Sequence, residues 1–216
     1  MPSVESRSII GPTGTLDSRW HGPPDGPPVL LLHPHPFHGG SMGTRLIYDL
    51  AKALAADGRR VVRFDFRGVG RSEGTYDRGN GELEDALAVY DVLAAEAGRE
   101  PTVVGFSFGG AVATALAAQR RPPLLVLVAT PAAVRDSDLR PVLVAPEVAC
   151  PVHFVYGSED ELVPQAAARE LAGAFPRVQW HILGGADHFL TPTHLPRSIA
   201  AVQAALAAPA ASDAPL

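Results

Sequence analysis

The clearest structural signal in this chain is the stretch Thr102-Val103-Val104-Gly105-Phe106-Ser107-Phe108-Gly109, in which a short β-branched run leads into a G-x-S-x-G pattern. A run of small and apolar residues typical of a helix follows, from Gly110 to Ala117. A strand, a sharp turn and a helix in this order hold a serine at the tip of the turn, and glycine neighbours leave its hydroxyl exposed. Ser107 is therefore the candidate nucleophile. The competing interpretation is a buried serine in a glycine-rich turn.

On both sides of this stretch, apolar runs of strand length alternate with amphipathic runs of helix length. The predicted strands are 4–10 and 15–20, which form an opening hairpin, then 29–32, 61–64, 102–106, 124–128, 152–156 and 178–183. The predicted helices are 44–56, 82–97, one directly after Ser107, 165–174 and 197–208. This alternation predicts an α/β fold, with a mostly parallel central sheet that is flanked by helices on both faces.

Length and composition bound the classes of protein that this chain can represent. A chain of 216 residues with 46% hydrophobic content suits one domain, predicted here over residues 1–208, with a disordered tail over 209–216. The net charge of −5 and the absence of a stripe rich in Lys and Arg exclude nucleic acid as the natural partner. A single chain carries no signal for an oligomeric state.

Cysteine usage and hydropathy bear on location. Cys150 is the only cysteine, which excludes an intramolecular disulfide and a cysteine-based zinc cluster. No apolar run approaches the roughly 20 residues of a membrane span, and the first residues lack the layout of a signal peptide. We therefore expect a cytoplasmic protein without a membrane partner.

Polar residues follow three of the predicted strands at the points where those strands end. Ser107 follows strand 102–106, Asp160 follows strand 152–156, and His188 follows strand 178–183. Ligands of open parallel sheets gather at the carboxyl ends of the strands. A serine hydroxyl is a weak nucleophile, so a histidine must take its proton and an acid must orient the imidazole. The sequence thus predicts Ser107, His188 and Asp160 as a catalytic triad.

Other polar residues compete for these roles. Glu159 and Glu161 flank Asp160, although the G-x-x-D spacing favours Asp160 as the orienting acid. His181 lies inside a strand and is predicted to be structural, and Asp187 is predicted to be a turn residue. Structural roles are also predicted for three residues of an earlier loop: Asp65, Arg67 and Ser72.

Five motifs in a fixed order connect this chain to a known family. They are HPHPFHGG at 33–40, FDFRGVGRS at 64–72, GFSFG at 105–109, GSED at 157–160 and GGADHF at 184–189. The chain resembles α/β-hydrolases over its whole length, and most of all the small lidless serine hydrolases with an H-P-H-P loop that are labelled dienelactone-hydrolase-like. One departure is that dienelactone hydrolases proper use a cysteine nucleophile. Here Ser107 occupies that position and Cys150 lies elsewhere, so the label says little about substrate.

The resemblance implies an α/β-hydrolase fold with the triad order Ser, Asp, His, and it places half of the oxyanion hole in the H-P-H-P loop. The two prolines of that loop have no amide hydrogen, which leaves His35, Phe37 and His38, of which we favour His35. The second donor is expected to be the amide of Phe108, at the start of the helix after the nucleophile. The glycines at 39–40 are expected to let the loop pass close to Ser107; the alternative is an ordinary turn.

The resemblance also implies the reaction. Only residues 131–149 are available where capped members insert a cap, so we expect no cap domain and an open site. This favours a serine esterase that hydrolyses a small or exposed acyl ester, a small-molecule substrate, without a metal or organic cofactor. Acyl transfer, perhydrolysis or lyase chemistry with the same triad stays open, as does a non-catalytic binding protein.

Residues that flank the motifs are candidates for contact with the substrate. Five apolar residues either form an acyl pocket or belong to the core: Phe37, Phe108, Leu162, Val163 and Phe189. The histidines of the H-P-H-P loop, His33, His35 and His38, either shape that loop or contact the substrate. A general base from this loop would break the family order.

Overall fold

The computed structural model describes residues 4–190 and 192–207 and contains an eight-stranded sheet. Its strands are β1 (Val4–Gly11), β2 (Gly14–His21), β3 (Pro28–Leu32), β4 (Arg60–Phe64), β5 (Thr102–Phe106), β6 (Leu125–Val128), β7 (Val152–Gly157) and β8 (Val178–Leu183). All eight predicted strands are confirmed to within one residue or two at each end. The predicted boundary at 208 and the predicted tail 209–216 lie outside the described residues, and the extent of the domain stays a prediction.

The order of the strands brings the predicted site residues to one edge of the sheet. The order is β1-β2-β4-β3-β5-β6-β7-β8, in which β1 pairs antiparallel with β2 and β2 antiparallel with β4. All remaining neighbours pair parallel. Because β5, β7 and β8 run in the same direction, the loops that carry Ser107, Asp160 and His188 leave the same edge.

Helices cover both faces of the sheet, as predicted. They are α1 (Arg45–Ala56), α2 (Asn80–Ala97), α3 (Phe108–Gln119), α4 (Pro141–Val144), α5 (Gln165–Gly173) and α6 (Leu195–Ala207). One core cluster lies under α2, α3 and α5, and the other lies under α1 and α6. Alternate residues of each central strand enter opposite clusters, as Leu30 and Val29 do in β3. This two-sided burial explains why the strands read as continuous apolar runs.

Two helices begin two residues earlier than the sequence predicts. The predicted start of α2, Glu82, lies in the first turn and accepts the amide hydrogens of Gly79 (2.7 Å) and Asp77 (3.0 Å). It caps the helix instead of beginning it. The helix α6 begins at Leu195 because Pro196 fits a first turn, where its missing amide hydrogen costs nothing.

The segment between β6 and β7 is where a cap would be inserted. It holds only α4 and a 3-10 turn at Ala145–Glu147, so no cap domain is present between these strands. Among the described residues, no helix is both long enough and apolar enough to cross a membrane.

Candidate active site

Ser107 occupies a strained turn between β5 and α3, which we call the elbow. Its backbone has φ of +52° and ψ of −115°, a conformation that non-glycine residues rarely adopt. The Ser107 amide donates to the carbonyl oxygen of Val128 at 2.8 Å, which ties the turn to the end of β6. The serine is partly exposed, which excludes the buried-serine interpretation.

Glycines around Ser107 are required because backbone and side chains approach them too closely for a Cβ atom. A Cβ on Gly105 would lie 2.3 Å from the carbonyl oxygen of Gly109, and a Cβ on Gly109 would lie 2.3 Å from that of Leu32. A Cβ on Gly110 would lie 1.8 Å from Thr130 Oγ1. The G-x-S-x-G-G run therefore lets α3 pack directly against β5, β3 and the loop after β6.

Ser107, His188 and Asp160 form a hydrogen-bonded chain. The Nε2 atom of His188 lies 3.1 Å from Ser107 Oγ, and its Nδ1 atom lies 2.8 Å from Asp160 Oδ2. Both His188 and Asp160 are buried. An ionised carboxylate can only accept, so the ring proton is on Nδ1 and Nε2 is free to accept the serine proton. This is the arrangement that activates a serine nucleophile.

The loop that carries Asp160 is tied to the loop that carries His188. The amide of Glu159 donates to the carbonyl oxygen of Ala186 at 2.9 Å, and a Cβ on Gly157 would lie 2.2 Å from the same oxygen. The other carboxylate oxygen of Asp160, Oδ1, accepts the Val163 amide hydrogen at 2.7 Å. Position 157 therefore needs glycine, and the orientation of Asp160 depends on a backbone amide that sequence reasoning did not identify.

The competing acids and the strand histidine are placed away from this chain of hydrogen bonds. Glu159 and Glu161 are exposed, whereas Asp160 is buried against His188. The side chain of Asp187 accepts the Leu190 amide hydrogen at 2.9 Å, as expected of a turn residue. His181 pairs with a second histidine on β7, with 3.0 Å between their nearest ring nitrogens, and is structural as predicted.

The loop after β4 is structural, as predicted. The buried carboxylate of Asp65 accepts the Met42 amide hydrogen at 2.7 Å, and the Ser72 hydroxyl donates to the Asp65 carbonyl oxygen at 2.6 Å. Arg67 forms a buried ion pair with Asp85 on α2 at 2.8 Å. These contacts fasten the loop to the segment after the H-P-H-P loop and to α2.

The two amides predicted to form the oxyanion hole have no hydrogen-bond acceptor in the described part of the chain. In the H-P-H-P loop the Phe37 amide donates to His35 Nδ1 (3.2 Å), and the His38 amide donates to the His35 carbonyl oxygen (3.1 Å). Of the three amides that the sequence leaves available, His35 alone has no acceptor within the described part of the chain. The Phe108 amide, at the first position of α3, likewise has none there, as is usual for a helix start.

The glycines of the H-P-H-P loop have a different function from the one predicted. A Cβ on Gly40 would lie 2.1 Å from the carbonyl oxygen of Pro34, within the same loop, and Gly39 adopts a left-handed conformation with φ of +77°. Both glycines therefore close the loop on itself. The close approach between this part of the chain and the elbow is made by Gly109, against the carbonyl oxygens of Leu32 and His33.

His33 has a structural role in this loop. Its ring is fully buried, its Nε2 accepts the Phe66 amide hydrogen at 3.1 Å, and its Nδ1 donates to the Pro34 carbonyl oxygen at 2.7 Å. Both ring nitrogens are thus occupied by backbone groups. His33 shapes the loop and is not available to a substrate.

This environment makes stability depend on pH. Burial lowers the pKa of His33 to about 4, from 6.5 in the unfolded chain. Between these values the unfolded chain binds a proton that the folded chain does not, so the free energy of unfolding decreases as pH falls through this window. Because of His33, we expect the free energy of unfolding to be lower by about 2 kcal/mol at pH 4.5 than at pH 7.5.

Urea unfolding at the two pH values checks this expectation. The variant His33→Gln should lose less stability on acidification than the wild type, by about that amount. The exposed histidine His38 offers the matched control, and His38→Gln should keep the wild-type loss. If the free energy of unfolding falls equally on acidification in the wild type and both variants, His33 is not the source of the pH dependence.

A tyrosine that sequence reasoning missed contacts the H-P-H-P loop. The Tyr76 hydroxyl lies 3.2 Å from His35 Nε2 and donates to the Asp136 carbonyl oxygen at 2.9 Å. Burial and the nearby His38 lower the pKa of His35, so its ring favours the neutral form. No motif contains Tyr76 or Asp136, and only their position in the fold connects them to the site.

Three of the five apolar candidates for substrate contact are exposed, and the other two are buried in the core. Phe37, Leu162 and Phe189 are exposed to 70%, 64% and 59% of their surface, whereas Phe108 and Val163 are buried in the core. The five residues therefore do not form one pocket, because two of them are buried in the core. The other three, Phe37, Leu162 and Phe189, are exposed apolar residues, and we call them the rim residues.

The rim residues also differ in what they touch. The Phe189 ring packs edge-on against His188, with 5.6 Å between the ring centroids. The Phe37 ring lies 4.6 Å from that of Tyr76, and the exposed ring of His38 stacks on His35 at 4.9 Å. Phe189 is thus the rim residue with a direct contact to the hydrogen-bonded chain.

Comparisons with known proteins agree with this geometry. A family model described as the alpha/beta hydrolase fold matches residues 27–146. An uncharacterized protein from Rickettsia prowazekii is 32% identical over 189 residues, which cover 83% of this chain and 79% of that protein.

Solved structures give the same result over nearly the whole chain. An α-β serine hydrolase homologue from Coxiella burnetii is 31% identical with a TM-score of 0.82, covering 93% of this chain and 96% of its own. A serine hydrolase without a lid from Xanthomonas campestris is 29% identical with a TM-score of 0.80, covering 94% of both chains. The resemblance to lidless serine hydrolases is confirmed. The family model spans more than half of the sequence, and the chain belongs to the α/β-hydrolase fold family.

Proposed function

We propose that this protein is a serine hydrolase that cleaves small or exposed carboxylic esters through an acyl-enzyme on Ser107. The observation that carries the proposal is the hydrogen-bonded chain from Ser107 through His188 to Asp160, with separations of 3.1 and 2.8 Å. The strained backbone of Ser107 and the unpaired amides of His35 and Phe108 support it, because they supply an exposed nucleophile and a site for negative charge.

In the first half of the proposed reaction Ser107 is the nucleophile, and His188 acts first as base and then as acid. His188 Nε2 takes the hydroxyl proton of Ser107 while Oγ attacks the carbonyl carbon of the ester. The carbonyl electron pair moves to its oxygen, and the amides of His35 and Phe108 donate to that oxyanion. The bond to the leaving alcohol then breaks, and His188 gives its proton to the alcohol oxygen.

Water completes the reaction. His188 takes a proton from water as the water oxygen attacks the acyl-enzyme, and the same two amides hold the second oxyanion. The bond between Oγ and the carbonyl carbon breaks, Ser107 regains its proton from His188, and the carboxylic acid leaves. Asp160 stays ionised throughout and stabilises the imidazolium. The proposal requires no metal or organic cofactor, and it keeps the cytoplasmic location that the sequence predicts.

The shape of the site supports small or exposed esters as substrates. The segment between β6 and β7 adds only a short helix and a 3-10 turn above the sheet, so little of a long acyl chain could be enclosed. An open groove of about 630 Å³ lies beside the H-P-H-P loop, where Phe37 and Tyr76 contribute to its lining. None of Ser107, His188 and Asp160 lines this groove, so the preference for small or exposed esters rests on the short segment between β6 and β7.

A graded panel of p-nitrophenyl esters tests the proposal. We expect kcat/KM to be highest for acyl groups of about two to four carbons and to fall at least about tenfold by twelve carbons, because the open site buries little of a long chain. The measurement is the initial rate of p-nitrophenol release. A preference for chains above about ten carbons would contradict the open-site argument, and no hydrolysis of any ester would overturn the function itself.

A further inference from the structure

The side chain of His35 is held at both ring nitrogens. Its Nδ1 accepts the Phe37 amide hydrogen at 3.2 Å, and its Nε2 lies 3.2 Å from the Tyr76 hydroxyl. An amide can only donate, so Nδ1 carries no proton and a neutral ring must carry its proton on Nε2. That proton points at the Tyr76 oxygen, and the Tyr76 proton goes to the Asp136 carbonyl oxygen at 2.9 Å. Every donor in this chain of contacts meets an acceptor.

The pairing decides which amide of the loop remains free. Without an acceptor at Nδ1, the Phe37 amide would compete with that of His35 for a negative charge. The His35 carbonyl oxygen accepts the amides of His38 (3.1 Å) and Gly40 (3.0 Å), which fixes the peptide that follows His35. The ring nitrogen and the carbonyl oxygen of His35 thus occupy the other amides of the loop. The His35 amide is the one donor left for an oxyanion.

The same ring packs against the side chain of Phe108, the other residue whose amide is assigned to the oxyanion hole. His35 packs on the ring of Phe108, with 4.9 Å between centroids, and Tyr76 packs on the same ring at 6.2 Å. Phe108 is fully buried and begins α3, so its position is set by the core. A ring held between Tyr76 and Phe108 keeps the loop amide at a constant distance from the helix amide.

The far end of the contact chain is also held by hydrogen bonds. The carbonyl oxygen of Arg78 accepts the Asp138 amide (2.7 Å) and the Ser137 hydroxyl (2.8 Å). These bonds fasten the segment that contains Asp136 to the loop that carries Tyr76. The acceptor of the Tyr76 proton is thus part of the same fastened unit.

We propose that Tyr76 is a positioning residue for the oxyanion hole, which it controls by holding the His35 ring in the Nε2-protonated form against Phe108. The inference rests on the proposed serine hydrolase function. Tyr76 touches no reacting atom in this scheme and acts only through His35. Its removal should therefore weaken transition-state stabilisation and leave substrate binding nearly unchanged.

The variant Tyr76→Phe keeps the ring and removes the hydroxyl. We expect kcat for p-nitrophenyl acetate to fall about tenfold while KM changes less than about twofold, because a misplaced donor lowers the stability of the oxyanion and not of the bound ester. The preference for an oxygen ester over its thionoester, whose sulfur accepts hydrogen bonds poorly, should fall by a similar factor. If Tyr76→Phe only loosened its own loop and left the oxyanion hole intact, the preference for the oxygen ester would not change.

The variant Tyr48→Phe is the matched control, because it makes the same change at an exposed tyrosine of α1 that has no part in the contacts of His35. It should hydrolyse both esters as the wild type does. If Tyr76→Phe and Tyr48→Phe behave alike, or if Tyr76→Phe raises KM without lowering kcat, the inference is wrong.

A double-mutant cycle decides whether Tyr76 acts through His35. The variant His35→Asn retains an acceptor for the Phe37 amide but cannot reach Tyr76. Adding Tyr76→Phe to it should cause no further loss of kcat, because the link is already absent. An equal loss in both backgrounds would overturn the inference.

The ring itself gives a readout that does not require catalysis. The ¹⁵N chemical shifts of His35 should report the Nε2-protonated tautomer in the wild type and a mixture in Tyr76→Phe. The Nδ1-protonated form in the wild type would overturn the inference even if esters are hydrolysed. A wild type that hydrolyses no ester would instead overturn the proposed function.

Discussion

Replacing Ser107 with alanine is expected to lower kcat for p-nitrophenyl acetate by at least about 10⁴-fold, because no other group can form the acyl-enzyme. Labelling by a fluorophosphonate should disappear with it. The measurements are steady-state rates and the intact mass of the labelled protein. The exposed serine on β1, Ser8, offers a matched control, and Ser8→Ala should react as the wild type does.

A second substitution at the same position separates activity from stability. Ser107→Gly should be as inactive as Ser107→Ala but more stable by about 1 kcal/mol, because glycine adopts a positive φ without strain. Urea unfolding measures the difference. Labelling that persists in Ser107→Ala would remove Ser107 as the nucleophile.

Replacing Asp160 with asparagine is expected to lower kcat by roughly 10³- to 10⁴-fold. The amide group of asparagine can donate to Nδ1 of His188, which favours the ring form that cannot accept the Ser107 proton. The fold should be retained, since the side-chain oxygen can still accept the Val163 amide hydrogen. Rates and circular dichroism on the same preparation measure both effects.

The neighbouring carboxylate provides the control for this variant. Glu159 precedes Asp160 and is exposed, so Glu159→Gln should change kcat less than about twofold. A large loss of kcat in Glu159→Gln, together with a small loss in Asp160→Asn, would show that Glu159 and not Asp160 orients His188.

Most of the strands and helices were predictable because the spacing of apolar residues along the sequence reflects which side chains are buried. Strands covered on both faces appear as unbroken apolar runs, and the amphipathic helix α1 appears as apolar residues at helical spacing. The starts of α2 and α6 were wrong by two residues. Glu82 and Pro196 each act at the first turn of a helix, a role that a periodicity argument does not capture.

Sheet topology brings the three predicted site residues together. Ser107, Asp160 and His188 each follow a parallel strand, and parallel strands end at the same edge, so their proximity follows from their positions after those strands. For Phe108 and Val163 the structure shows the core alternative, which the sequence left open because adjacency along the chain does not specify which way a side chain points.

By itself, the sequence determined the order of strands and helices, the family resemblance and the three polar residues at the edge of the sheet, because these depend on local pattern and spacing. Only the tertiary structure decided which amides of the H-P-H-P loop are occupied, that Val163 orients Asp160, and that Tyr76 meets His35. Tyr76 lies 41 positions from His35 along the chain. A hydrogen bond across such a separation depends on the packing of several elements at once, and no local pattern records it.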